Sequence, residues 1–202
     1  MINIEKLNKS FGDKVLFNNF SYTINDGEFV IFSGKSGCGK TTLLNMIGGI
    51  EPFENGKIIV DGMDISKRRN LINYLKNKVG FLFQNFALIE NKTVEQNLKL
   101  VRKSAKDCLS INDALEKVGL KNELKTKIYK LSGGEQQRVA LARLMVKKCD
   151  IILADEPTGS LDKENADKVM EILQQLNKEG KTVLLVTHSS EYNSVCTKLL
   201  KL

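Results

Sequence analysis

Long apolar runs are missing from this chain of 202 residues. None approaches the ~20 consecutive apolar residues of a membrane-spanning helix, so we expect no segment that crosses a membrane. The first residues, Met1 to Lys6, have the pattern of a strand and not of a charged and then apolar signal segment. We therefore expect the protein to remain in the cytoplasm.

Cysteine and proline are also scarce, with four and two residues. The cysteines (Cys38, Cys108, Cys149 and Cys196) form no C-x-x-C pair, which argues against a zinc site and against a disulfide framework. Because prolines are so few, they mark no linker, and the sequence shows no internal repeat. The length of 202 residues fits one α/β domain, and 42% hydrophobic with 27% charged residues is ordinary for a globular protein.

The net charge is +7, and the lysines that produce it are spread along the chain. Such a charge is compatible with nucleic acid or an anionic lipid surface, but dispersed lysines more often form an ordinary solvated surface. We therefore predict no nucleic-acid partner.

One stretch, from Gly34 to Thr41, carries the clearest chemistry. It reads G-x-x-x-x-G-K-T, the pattern of a phosphate-binding loop, and stands between a run of strand character and a run of helix formers. Its glycines let backbone N–H groups turn toward a polyphosphate at a helix N-terminus. Lys40 is predicted to reach the β- and γ-phosphates, and the Thr41 hydroxyl to ligate Mg²⁺. The predicted nucleotide-binding residues of this region are Ser33, Gly34, Lys35, Ser36, Gly37, Cys38, Gly39, Lys40, Thr41 and Thr42.

Strand and helix patterns alternate along most of the chain, which indicates a mainly parallel sheet covered on both faces. Two N-terminal strands, Met1–Leu7 and Phe20–Ile24, are predicted to be joined through the polar turn Gly12–Lys14. We interpret the chain as a single domain, 1–202, in which a small helical subdomain is inserted into an α/β core. The predicted bounds are 93–135 for the subdomain and 1–92 with 136–202 for the core.

Polar side chains follow three of the predicted strands at the edge where parallel sheets bind ligands. Asp155 is the expected Mg²⁺ carboxylate, and Glu156 is placed to act as the general base that takes a proton from water. His188 is predicted to contact the γ-phosphate. A lone histidine is more often a packed or surface residue, but its position at a strand end favours the site. Gln84 follows another strand at the same edge.

These motifs resemble the ATP-binding subunits of ATP-binding-cassette (ABC) transporters over essentially the whole chain. The loop Gly34–Thr41 matches the Walker A motif, and Ile151–Glu156 matches Walker B with its catalytic glutamate. The segment Leu131–Arg138, LSGGEQQR, matches the family's signature motif, which is far more specific than Walker A. Gln84 resembles the Q-loop glutamine, a metal and coupling residue, and His188 resembles the switch histidine.

The resemblance implies a P-loop NTPase core with a mainly parallel sheet, an N-terminal antiparallel β subdomain and an inserted small helical subdomain. It implies ATP and Mg²⁺ as cofactors. It also implies a head-to-tail homodimer that holds two ATP molecules between one subunit's phosphate loop and the other's signature motif. Phe11 would stack on adenine, although the residues alone favour core packing for it. The remaining implied nucleotide contacts are Ser132, Gly133, Gly134, Glu135 and Asp162.

Within the family, Glu156–Asp162 and Thr93–Asn97 are similar to the group that serves macrolide, lipoprotein and bacteriocin or antimicrobial-peptide export. This similarity predicts an ATPase that powers a transmembrane permease subunit, as an exporter of a peptide or amphipathic molecule, from the inner face of the cell membrane. An ABC ATPase that regulates a membrane complex in cell division is the alternative. Action on nucleic acid or ribosomes is disfavoured by the single cassette, and a P-loop kinase by Leu131–Arg138.

The connection from Phe83 to Thr93 is unusually apolar for a loop beside a nucleotide site. We predict that it lines a groove for a short cytoplasmic helix of the transmembrane subunit. The alternative is that Phe86, Leu88 and Ile89 only pack the subdomain onto the core.

Overall fold

The computed structural model describes residues 1–101 and 109–202. The strands are β1 (Ile2–Phe11), β2 (Lys14–Ile24), β3 (Phe29–Ser33), β4 (Asn55–Val60), β5 (Met63–Asp64), β6 (Val79–Phe83), β7 (Ile151–Asp155), β8 (Thr182–Val186) and β9 (Lys198–Lys201). The α-helices are α1 (Lys40–Ile47), α2 (Arg68–Asn77), α3 (Val94–Leu98), α4 (Ile111–Lys117), α5 (Gly133–Val146) and α6 (Lys163–Lys178). Short 3-10 turns cover Lys121–Glu123, Ile128–Lys130 and Ser190–Val195.

A parallel sheet forms the centre of the fold, with the spatial order β6-β7-β8-β3-β9. Its strands are buried on both faces because helices cover both sides. Within β3, Phe29 and Ile31 belong to the apolar cluster that includes α5 and α6. Val30 and Phe32 belong to the opposite cluster, which includes α1 and the N-terminal strands. The carboxyl ends of β3, β6, β7 and β8 therefore meet at one edge of the sheet.

A smaller antiparallel sheet has the order β2-β1-β4-β5. Both strands of its first hairpin are longer than we predicted. β1 runs on to Phe11 and β2 begins at Lys14, so only Gly12 and Asp13 lie between them. The polar run Asn8–Ser10 hid the end of β1, where register shifts interrupt the regular alternation. Phe11, which we expected in a connecting loop, consequently lies at the end of a strand.

Helices α3 and α4 and the two 3-10 turns before α5 form the helical region predicted between core segments. Thr93 caps α3 and Ser110 caps α4, each by accepting a hydrogen bond from a backbone N–H of the first turn. Residues 102–108, including Cys108, fall within the predicted subdomain and lie outside the described residues. The predicted fold class is confirmed, and the exact subdomain bounds stay a prediction. Within the described part of the chain, no helix is both long and apolar enough to span a membrane.

Candidate nucleotide-binding site

The phosphate loop connects β3 to α1 and is shaped by its glycines. Gly39, at the helix N-cap, has a φ of 103°, and a Cβ there would lie 3.0 Å from the Phe17 ring. Only glycine suits that combination of conformation and space. The Lys40 ammonium donates hydrogen bonds to the carbonyl oxygens of Gly34 (2.9 Å) and Lys35 (3.0 Å). The ammonium also makes a weak 3.9 Å contact with the Cys38 Sγ, so its three N–H donors all hold the loop closed, and a phosphate oxygen would take the place of the sulfur.

The Thr41 hydroxyl donates a 2.9 Å hydrogen bond to Oδ1 of Asp155, at the end of β7. Burial raises the pKa of Asp155, while the Thr41 hydrogen bond and the charge of Lys40 act in the opposite direction. A hydroxyl beside a carboxylate is a set of hard oxygen donors that fits Mg²⁺, which in such sites keeps several waters and also binds substrate phosphates. A cluster of three or more His, Cys, Asp or Glu able to hold a metal does not occur within 1–101 and 109–202.

Glu156 follows Asp155 and has a φ of 45°, a left-handed backbone conformation that is unusual for a residue with a side chain. Its Oε2 accepts a hydrogen bond from the His188 backbone N–H at 3.3 Å. Its Oε1 lies 3.4 Å from Nε2 of His188 but is buried without a hydrogen-bond partner among the described residues. Burial raises the pKa of Glu156, and the charge and N–H of His188 counteract that effect. One carboxylate oxygen is thus held by the His188 backbone, while the other has no hydrogen bond among the described residues and faces the His188 imidazole.

A cleft of about 430 Å³ collects many of the predicted residues. It is lined by Phe11, Lys14, Leu16, Ser36, Gly37, Gly39, Lys40, Thr41, Thr42, Gln84, Glu156, Val186 and His188. Gln84 also lines an adjoining cavity, together with Asp155 and Ser160. Gly34, Lys35 and Cys38 contact the Lys40 ammonium within the loop. The Ser33 carbonyl oxygen accepts a hydrogen bond from the backbone N–H of Leu202.

The signature residues do not line this cleft. Ser132 is the N-cap of α5, and its hydroxyl accepts a hydrogen bond from the Glu135 N–H while Glu135 accepts one from the Ser132 N–H. The Ser132 N–H and the Ser132 hydroxyl both donate to the Glu135 carboxylate, and these two bonds lower the pKa of Glu135. Gly133 and Gly134 form the first turn, and a Cβ at Gly134 would lie 2.4 Å from the Asn165 side chain. Asp162 caps α6 through the backbone N–H of Asn165, 2.9 Å away.

Helix α5 is nevertheless hydrogen-bonded to the segment that follows the carboxyl end of β7. The buried Gln137 side chain donates a 2.6 Å hydrogen bond to the carbonyl oxygen of Pro157, the residue after Glu156. Arg138 donates to the Asn165 side chain at the start of α6. The position of the signature turn is therefore fixed relative to Glu156 by bonds that cross between elements.

Residues 17–159 match the family model described as "ABC transporter". The chain belongs to the ABC transporter family. The matched range contains the phosphate loop, Gln84, the signature motif and Glu156. Phe11 and His188 lie outside it, and they reach this ABC cassette's cleft through β1 and β8.

Relatives of this ABC cassette carry different transport names. It is 39% identical over 196 residues to a glutamine transport ATP-binding protein, GlnQ, of Geobacillus stearothermophilus, with 93% of this chain and 80% of the relative covered. It is 36% identical to the ABC transporter ATP-binding protein YxdL of Bacillus subtilis, with 99% and 82% covered. It is also 36% identical to the macrolide export ATP-binding/permease protein MacB of Mannheimia succiniciproducens, covering 100% of this chain but 33% of that longer protein.

Solved structures support the same assignment. An ATP-binding cassette in a dimeric, post-hydrolysis state bound to ADP and Pi superposes with a TM-score of 0.85 at 32% identity, covering 100% of this chain and 94% of that one. A dimeric bacterial ABC transporter cassette gives a TM-score of 0.84 at 34% identity with the same coverage. Membership of the family and its cassette fold support ATP binding and ATP hydrolysis by this chain.

Three residues of the cleft escaped the sequence interpretation: Lys14, Leu16 and Val186. Lys14 pairs with Phe11 across the hairpin, and its ammonium donates a 2.9 Å hydrogen bond to the Gly37 carbonyl. A hairpin with the two-residue loop Gly12-Asp13 places Lys14 directly opposite Phe11, and would have predicted that both residues lie at the cleft. The predicted strands ended at Leu7 and began at Phe20, so they did not include this pair.

Proposed function

We propose that this chain binds ATP and Mg²⁺ in the cleft and hydrolyses ATP to drive a separate transmembrane permease. The observation that carries the proposal is the arrangement at the carboxyl end of the parallel sheet. There Lys40 closes the phosphate loop, Thr41 bonds Asp155, and the buried Oε1 of Glu156 has no hydrogen-bond partner among the described residues. These groups supply the charge neutralisation and the proton acceptor that phosphoryl transfer to water requires.

Each residue has a distinct part in this reaction. Lys40 would neutralise β- and γ-phosphate charge with the N–H donor that contacts the Cys38 Sγ in this structure. Thr41, Asp155 and Gln84 would hold Mg²⁺, which supplies further neutralisation of the phosphate oxygens when bound. Glu156 would accept the proton of the attacking water. His188, whose side chain is 62% exposed and lies beside Glu156 in the cleft, would contact the γ-phosphate.

The second half of the site would come from another copy of the chain. Ser132, Gly133 and Gly134 form a helix N-terminus, a natural anion site, yet they do not line the chain's own cleft. In the proposed head-to-tail homodimer, they and Asp162 bind the nucleotide held by the other subunit's phosphate loop. The dimeric state of the similar solved cassettes supports this arrangement.

For the transported substrate, we propose export of a peptide or amphipathic molecule, on the basis of the Glu156–Asp162 segment and the similarity to MacB. The similarity to GlnQ, a glutamine transport protein, leaves a small polar substrate as the competing assignment. The proposed location is the cytoplasmic face of the cell membrane, where a permease subunit would hold the cassette.

The permease would bind an apolar groove of about 580 Å³ between α2, β6 and α5. The groove is lined by Ile72, Leu75, Lys76, Phe81, Phe83, Ala87, Leu100, Val101, Arg143, Leu144 and Lys147. Two residues of the predicted Phe83–Thr93 connection, Phe83 and Ala87, line this groove, and its occupation by a permease helix stays a prediction. Phe86 and Leu88 pack against the core cluster instead, as the alternative held, and Ile89 is exposed outside the groove.

The reason for the difference is the backbone of the connection. Phe86 and Ala87 have positive φ values of 61° and 47°, and Arg143 donates hydrogen bonds to both of their carbonyl oxygens. This turn directs Phe86 inward, which sequence spacing does not reveal. Lys76, Arg143 and Lys147 add three cationic side chains to the groove, so a partner segment that combines apolar residues with a carboxylate would suit it.

Replacing the exposed rim of the groove should release the cassette from its permease. Ile72 and Leu100 are 59% and 47% exposed, so Ile72→Ser with Leu100→Ser removes apolar contact area without disturbing the core. We expect basal ATP hydrolysis to persist while co-purification with the permease from detergent-solubilised native membranes is lost. Ile50→Ser is the matched control, because Ile50 is 52% exposed outside the groove. Unchanged association of the double variant would exclude this groove.

A further inference from the structure

A buried lysine lies against the aromatic ring of the nucleotide cleft. Lys9 is 7% exposed, and its Nζ lies 4.4 Å from the centroid of the Phe11 ring. The same ammonium forms a 2.6 Å ion pair with Oε1 of Glu51 and donates a 2.9 Å hydrogen bond to the Pro52 carbonyl. Lysine is rarely buried to this extent unless it is paired. The ion pair and the hydrogen bond therefore fix the position of the Lys9 ammonium relative to the Phe11 ring.

The two sides of the Phe11 ring have different surroundings. Phe11 lines the cleft and is 50% exposed, whereas Lys9 is absent from the cleft lining. The ammonium therefore covers the protein side of the ring and leaves the other side to the cleft. A cation over one face is attracted to the ring's π electrons, which both fixes the ring orientation and draws electron density away from the opposite face.

We propose that Lys9 is a positioning residue for the base of the bound nucleotide and acts through the Phe11 ring. The inference rests on the proposed function, in which the adenine of ATP stacks on Phe11. An aromatic face with reduced electron density is a better stacking partner for an electron-rich purine, because the repulsion between the two π systems is weaker. The ion pair with Glu51 holds the Lys9 ammonium in place over the Phe11 ring.

The competing explanation is that Lys9 only connects β1 to the segment after α1. Other bonds already make that connection: the Ser10 N–H donates to Glu54 at 2.8 Å, and the Glu54 N–H donates to the Asn8 carbonyl at 3.1 Å. A purely connecting Lys9 would affect stability, or every ligand of the cleft alike. A Lys9 that acts through Phe11 affects only ligands that contain a base.

The experiment is to titrate Lys9→Met with ATP and with inorganic tripolyphosphate, which has the phosphates but no base. We expect ATP to bind about 3- to 10-fold more weakly and tripolyphosphate to bind as before. Lys9→Arg should retain most of the ATP affinity, since a guanidinium also stacks over an aromatic face. Lys57→Met is the control for net charge, because it removes an exposed lysine from β4. Equal loss for ATP and tripolyphosphate would overturn the inference.

The same titrations in a Phe11→Ala background separate this inference from the proposed function. If Phe11→Ala weakens ATP binding and Lys9→Met adds no further loss in that background, the ring transmits the effect. If Phe11→Ala weakens ATP binding but Lys9→Met has no effect, the inference fails while adenine stacking stands. If Phe11→Ala itself has no effect, stacking on Phe11 is wrong and the inference falls with it.

A further loss from Lys9→Met in the Phe11→Ala background would contradict a role through the ring. Should Lys9→Met not fold, Lys9→Met with Glu51→Gln removes both charges of the pair and serves in the same series.

Discussion

Glu156→Gln should reduce ATP hydrolysis by about 10²- to 10⁴-fold and leave ATP binding intact. The amide keeps the size of the side chain and can still accept the hydrogen bond from the His188 N–H, but it takes no proton from water. Because burial raises the pKa of Glu156, the charged carboxylate carries a desolvation cost in the folded protein that the neutral amide does not. The variant should therefore fold at least as well as the parent chain.

The consequence for assembly is equally specific. When ATP is bound but not cleaved, the two subunits should remain joined, so the variant should elute as a dimer in size-exclusion chromatography with ATP. Glu171→Gln is the matched control, since Glu171 lies on the exposed side of α6. Parent-like hydrolysis by Glu156→Gln, or a variant that stays monomeric at saturating ATP, would contradict the role assigned to this carboxylate.

Ser132→Arg should reduce ATP hydrolysis by about 10²-fold or more without weakening nucleotide binding to the isolated chain. Ser132 is at the N-terminus of α5 and does not line its own cleft. A bulky side chain there leaves the phosphate loop of the same subunit untouched, but it fills the anion site offered to the partner's nucleotide. ATP binding to the monomer and hydrolysis at high protein concentration are the two measurements required.

Loss of the helix cap needs its own control, since removing a serine N-cap costs about 1 kcal/mol of stability. Ser110→Arg provides it, because the Ser110 side chain also caps a helix, α4, by accepting from the Asp113 N–H, and lies outside the signature motif. If Ser110→Arg and Ser132→Arg reduced hydrolysis equally, the effect would reflect a general destabilisation. If Ser132→Arg weakened ATP binding to the monomer, the signature residues would belong to the chain's own site.

Much of the central sheet could be predicted from the sequence because its signals are local. The runs before Gly34, at Ile151–Ala154 and at Thr182–Val186 are apolar over strand length, and each is followed by chemistry that needs a strand end. Glycine spacing predicted the loop around Lys40, and the start of α5 follows locally from the capping box of Ser132 and Glu135. Parallel topology then explains why Thr41 and Asp155, far apart in sequence, meet at one edge.

The features that escaped prediction depend on contacts between distant segments. The end of β1 is hidden by its polar residues, and only pairing with β2 shows that it reaches Phe11. The inward turn at Phe86 requires Arg143, which is contributed by α5. Lys9 becomes notable only when Glu51 and Pro52 are brought beside it. In each of these cases, the sequence of one segment does not indicate which distant segment it contacts.

If two copies of this chain complete each other's ATP site, as proposed, ATP hydrolysis must depend on protein concentration. At saturating ATP and below the dimer dissociation constant, the dimer fraction grows in proportion to total protein. Specific activity should therefore rise with concentration and level off once most chains are paired, and Glu156→Gln should remain inactive throughout. A specific activity that stays constant across the whole dilution series, down to concentrations where the chain is monomeric by light scattering, would contradict the shared site.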